Sequence, residues 1–146
     1  MMKVFCDTSV LVAAFLQSHV HHSSARPVIE RVKARRDDGF VAAHSLVETY
    51  AVLTRLPGGN QVAGPVAWQL IAENVLKDFT VVSLSSKEYA ETLASAAKNG
   101  VEGGKTYDAL LLAAAAKSGA ERIYTTNVRH FQSLADDQQR PRIVAP

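Results

Sequence analysis

The chain has 146 residues, is 47% hydrophobic and 21% charged, and carries a net charge of +2 at pH 7. That profile excludes a disordered chain and fits one globular domain over residues 1–146; the mild basic excess permits a nucleic-acid partner without requiring one. A single cysteine, Cys6, excludes a disulfide framework and a cysteine-built zinc site and agrees with a reduced thiol in the cytoplasm.

In chain order, residues 3–6 read as a buried strand and residues 10–16 as a helix capped by Asp7, Thr8 or Ser9. Lys3 followed by residues 10–16 imitates a secretion signal only weakly, because Asp7 interrupts it, so the start reads as part of the fold. Residues 17–24 form a polar loop rich in histidine. Residues 26–36 form an amphipathic helix with Pro27 in its first turn, ended by Asp37, Asp38 and Gly39. A short strand at 40–42 leads to a long helix at 45–56, broken by Pro57, Gly58, Gly59 and Asn60. Residues 65–77 are helical, 80–84 a strand, and 86–98 a helix stopped at Gly100. An apolar helix follows at 107–118, closed by Gly119, then a strand at 122–125, a short helix at 127–134 and an edge strand at 142–144. The longest apolar run, residues 109–116, is far short of the roughly 20 residues that span a bilayer, so no membrane segment is expected.

Strands alternating with helices imply crossover connections and a mostly parallel central sheet in a three-layer α/β/α domain. Ligands of such sheets sit beyond the carboxyl ends of the strands. Asp7 falls at such an end, and so does Asn127 in "RIYTTN".

Three acids stand in apolar surroundings: Asp7 in "VFCDTSVLV", Glu48 in "SLVETYAVL" and Asp108 in "TYDALLLAAAA". By helical spacing, Asp108 shares a face with Leu111, Leu112 and Ala115, and Glu48 shares one with Ala51 and Val52. Both are expected in the first turn of their helices. Each acid also has a plain structural reading. Asp7 can cap the first helix, Ser45 and Glu48 can form a capping box, and Asp108 suits a helix N-terminus. All three together, each buried by its neighbours, point further. Carboxylates that converge cannot all ionise unaided, and the hard cation that suits them is Mg²⁺ or Mn²⁺.

The stretches "FCDTSVLV", "SLVETYAVLTR", "YDALLLAAAAKSG" and "IYTTNVRHF" resemble, in order and spacing, the four blocks of the PIN-domain ribonucleases, and of the VapC toxins of VapBC toxin–antitoxin pairs in particular. The likeness covers essentially the whole chain. It implies a Mg²⁺-dependent endoribonuclease with Asp7, Glu48 and Asp108 at the metal and Asn127 in the fourth, usually acidic, position. It implies support from Thr8, Ser9 and Thr126 around that site. It also implies an RNA substrate, a VapB-like antitoxin laid in an apolar groove, and self-association as a homodimer.

Rival patterns are weaker. "GGKT", residues 103–106, lacks the upstream glycine of a phosphate-binding loop, since position 99 is Asn99, and it follows a helix. A dehalogenase-like phosphatase needs a second acid where Ser9 stands, and a receiver domain needs an acid that "TVVSLSS" does not contain. A PIN-like module that binds RNA or protein without cutting is the non-enzymatic alternative. His19, His21 and His22 read as exposed or helix-packing residues, and His130 as a turn residue or substrate contact. The cationic residues Arg26, Arg31, Lys33, Arg35 and Arg36 read as a solvated face that can also steer RNA.

Overall fold

A computed structural model describes all 146 residues. Five strands form one sheet: β1 (Met2–Cys6), β2 (Asp37–Ala42), β3 (Thr80–Val82), β4 (Arg122–Tyr124) and β5 (Ile143–Val144). Their order is β3-β2-β1-β4-β5, and every pairing is parallel. All carboxyl ends therefore share one edge. β1 lies at the centre, where the chain reverses its direction of travel across the sheet, the place at which open sheets of this kind leave a crevice.

Seven α-helices cover the two faces: α1 (Thr8–Phe15), α2 (His22–Lys33), α3 (Ala43–Thr54), α4 (Gly64–Ile71), α5 (Ser86–Lys98), α6 (Lys105–Ser118) and α7 (Val128–Leu134). β1 shows why two cores form. Val4 and Cys6 point into one, with α1, α2, Val75 and Phe79, while Phe5 points into the other, with α6 and α7. No helix is long and apolar enough to cross a membrane.

Several boundaries depart from the sequence reading, each for a local reason. α1 starts at Thr8, because Asp7 takes the cap and its carboxylate accepts the Val10 N–H. α2 starts at His22, whose Nδ1 meets the Ala13 carbonyl at 2.9 Å and pins the loop to α1, so Pro27 falls inside the helix and not in its first turn. Asp37, Asp38 and Gly39 do not stop a helix; they open β2. Asp37 is buried there because Arg31 Nε and Nη2 grip its two oxygens at 2.7 and 3.1 Å. α3 starts at Ala43, so Ser45 is no cap and Glu48 lies in the second turn. The capping box belongs to Ser85 and Glu88, at the start of α5. The helix expected over 65–77 is α4 followed by a π-helical turn at Ala72–Leu76. α6 begins two residues earlier, at Lys105, and Gly119 closes it in the left-handed region at φ 70°.

Candidate active site

Asp7 follows β1 directly and is only 2% exposed. Its Oδ1 accepts from Ser9 Oγ at 2.6 Å and from the Val10 N–H at 3.1 Å, and its Oδ2 accepts from Thr125 Oγ1 at 2.7 Å. A carboxylate offers about four acceptor positions, so roughly one remains for a cation. Ser9 Oγ in turn accepts the Thr126 N–H, and Thr125 Oγ1 accepts the Asn127 N–H, both at 3.0 Å. The end of β1 and the turn after β4 are thus laced together around one carboxylate.

Glu48 comes from α3 and Asp108 from the first turn of α6. Each has its own histidine. His44 Nε2 lies 3.3 Å from Glu48 Oε2, and His130 Nε2 lies 2.7 Å from Asp108 Oδ2. His44 also stacks on Tyr107, with centroids 5.2 Å apart and planes 7° from parallel. That stack ties the helix of Glu48 to the helix of Asp108.

Asp7, Glu48, Asp108 and Asn127 line one cleft of about 280 Å³. The structure thus brings together the three acids and the asparagine singled out in the sequence. Burial is the main influence that pushes the Asp7 carboxyl up to about 6; its three hydrogen bonds oppose this, and the charge of Asp108 adds to it. Asp108 is also pushed above the ordinary carboxylate range, by burial first, against the lowering pull of His130 and with the charge of Glu48 adding to the rise. The acids therefore feel one another. A larger groove of about 1050 Å³ runs between α5, α6 and α7 and contains none of them.

The supporting residues are rearranged from the sequence expectation. Ser9 does support Asp7. Thr8 donates instead to Ser45 Oγ at 2.9 Å, bracing α1 against α3. Thr126 contributes only its backbone N–H. The hydroxyl that reaches Asp7 belongs to Thr125, which the sequence reading passed over. The signal was register: Cys6 pairs with Tyr124, which sets Asp7 beside Thr125. His130 is neither a free turn residue nor distant from the acids. Asn127 sits at the cap position of α7, yet its side chain caps nothing.

Hard oxygen donors from three carboxylates and an amide suit Mg²⁺ or Mn²⁺. No three His, Cys, Asp or Glu side chains stand close enough together to hold a metal ion by themselves. Such an open set fits a cation that keeps several waters and borrows ligands from a phosphate.

Comparison with known proteins places the chain by family and fold. Residues 4–137 match the family model described as "PIN domain". The chain is 35% identical over 127 residues to Ribonuclease VapC40 of Mycobacterium tuberculosis, covering 87% of this chain and 88% of that one. It is 32% identical over 115 residues to Ribonuclease VapC27 of the same organism, covering 79% and 78%. Its fold is similar to that of the crystal structure of M. tuberculosis VapC20, described as a Sarcin-Ricin loop cleaving toxin, with a TM-score of 0.68 at 18% identity over 89% and 94% of the two chains. It is also similar to VapBC2 from Rickettsia felis bound to a promoter DNA fragment, with a TM-score of 0.66 at 17% identity over 99% and 98%.

Proposed function

The chain belongs to the PIN-domain family, in its VapC ribonuclease branch, and from that premise we propose that it is a divalent-metal-dependent endoribonuclease, the toxin of a toxin–antitoxin pair. The observation that carries the reading is the meeting of Asp7, Glu48 and Asp108, from three separate elements, in one cleft at the carboxyl edge of the sheet.

In this reading Asp7, Glu48 and Asp108 would hold Mg²⁺, or Mn²⁺ in its place, directly or through water. Bound there, the cation would supply Lewis acidity for activating water and for neutralising charge on the phosphate. Asn127 offers a neutral carbonyl oxygen to the same place. Glu48 has the longest side chain of the three and a single partner, His44 at 3.3 Å. It orients the attacking water and takes its proton. Ser9 and Thr125 hold Asp7 in position, and His130 does the same for Asp108.

The reading carries an RNA substrate, a VapB-like antitoxin, a homodimer and a cytoplasmic setting. α3 and α4 offer exposed Val47, Tyr50, Val66 and Trp68 for protein contacts, and Tyr50 lies directly against Gly64 at the start of α4.

The test is cleavage of bacterial RNA by purified protein with Mg²⁺ or Mn²⁺, and with chelator. Asp7→Asn and Asp108→Asn should each lose at least about 100-fold in rate while keeping a native melting transition. Full activity of either variant would reject the role of that acid. RNA bound but left uncut by the parent protein would identify the non-catalytic module instead.

A further inference from the structure

The carboxylate cleft must receive a phosphodiester, yet no lysine or arginine lines it. Hydrogen-bond donors on its wall are few, and most are spent. Thr8 donates to Ser45 and Ser9 donates to Asp7. The Asn127 backbone N–H is given to Thr125. Two side-chain donors remain, the Asn127 amide and the imidazole of His19, which also lines the cleft.

His19 is not a loose loop residue. Its N–H donates to the Leu16 carbonyl at 2.9 Å, and its carbonyl accepts the His22 N–H at 3.0 Å. His22 is itself fixed to Ala13 of α1. The ring is held as well. The His21 backbone N–H points at His19 Nδ1 at 3.0 Å. A backbone N–H only donates, so Nδ1 carries a lone pair and the ring proton sits on Nε2. No acceptor of the protein takes that Nε2–H. The same bond keeps Nε2 from serving as a metal ligand.

We propose that His19 is a substrate-contacting residue of this site, its Nε2–H donating to a non-bridging oxygen of the RNA phosphate. The inference rests on the nuclease reading above and assigns a side chain that binds that phosphate beside the three carboxylates. An uncharged donor suits the position. An arginine or lysine there would pair with the acids and compete with the cation they are placed to hold.

Three substitutions test it. Under enzyme excess on bulk bacterial RNA with Mn²⁺, His19→Ala should cut about 10–100-fold more slowly, the cost of one hydrogen bond to a charged group. His19→Gln places an amide N–H where Nε2 stood and should recover most of the rate. His19→Asn reaches only as far as Nδ1, so it should keep the bond to His21 and remain slow. Binding of Mn²⁺ alone, by calorimetry, should be unchanged in all three. Rescue by asparagine and not glutamine would mean that His19 only shapes its loop and would overturn the proposal. So would a His19→Ala protein that cuts as fast as the parent. A parent protein that cuts no RNA overturns the nuclease reading, and this inference with it.

Discussion

Asp7 is costly to keep charged. It is nearly fully buried, and its folded-state pKa of about 6 lies above the roughly 3.9 of an ordinary aspartate. Between those two values the folded protein holds a proton that the unfolded chain has released. Stability therefore falls as pH rises from about 4 to 6 and levels off above that. The gap corresponds to roughly 3 kcal/mol at neutral pH. Asp7→Asn keeps the contacts made by Oδ1, and Thr125 can turn to accept from the new amide. At pH 7.5 without divalent cation the variant should melt higher than the parent, and the advantage should disappear by about pH 4. Added Mg²⁺ should raise the melting temperature of the parent and leave the variant unmoved. A variant that melts lower at pH 7.5 would show that the capping role outweighs the burial of charge. At this scale the sequence was informative wherever a charge stood in an apolar run, as Asp7, Glu48 and Asp108 do. It was silent on Thr125 and on the pairing of His44 and His130 with the acids, because a small hydroxyl or an imidazole raises no alarm until its partner is known.

Among the elements, β2 shows why boundaries were harder to read than the elements themselves. "DDG" has the composition of a turn, yet Arg31 neutralises Asp37, and Gly39 lets the strand slide under its neighbours. A Cβ at Gly39 would meet Val32 Cγ1 at 2.6 Å and the Phe79 ring at 2.7 Å. Both side chains are buried, so neither can swing away. Gly39→Ala is expected to cost about 1–3 kcal/mol, read as a melting temperature lowered by roughly 2–10 °C in a chain of this size. An unchanged melting curve would mean that β2 and α2 are less tightly joined than described. The helix at α3 teaches a related lesson. "SLVE" satisfies the local pattern of a capping box, but Ser45 is drawn to Thr8 and the helix extends past it to Ala43. A tertiary hydrogen bond overrode a local motif. The parallel sheet and the helix order, in contrast, depend on periodicity summed over many residues, and they were legible from the start.

Across the whole molecule, the sheet gathers the ends of all its strands on one edge and sets β1 in the middle. Four separated stretches of sequence could be ordered along the chain, but only this topology brings them to one cleft. The central strand also contains the single cysteine, one residue before Asp7. Cys6 is wholly buried, and burial first, then the charges of Asp7 and Asp37, pushes its thiol far up. A thiol in that position is sealed until the sheet parts. Its alkylation is thus a clock for the rarest breathing of the protein, ticking at the opening equilibrium multiplied by the reactivity of a free thiol. Whatever ligand favours the closed form must slow that clock by the factor 1 + [L]/Kd. Titrating Mn²⁺ against the alkylation rate should therefore yield the affinity of the cleft for the ion with no RNA present and no bond cut. Labelling that ignores the ion at every concentration would place its binding elsewhere.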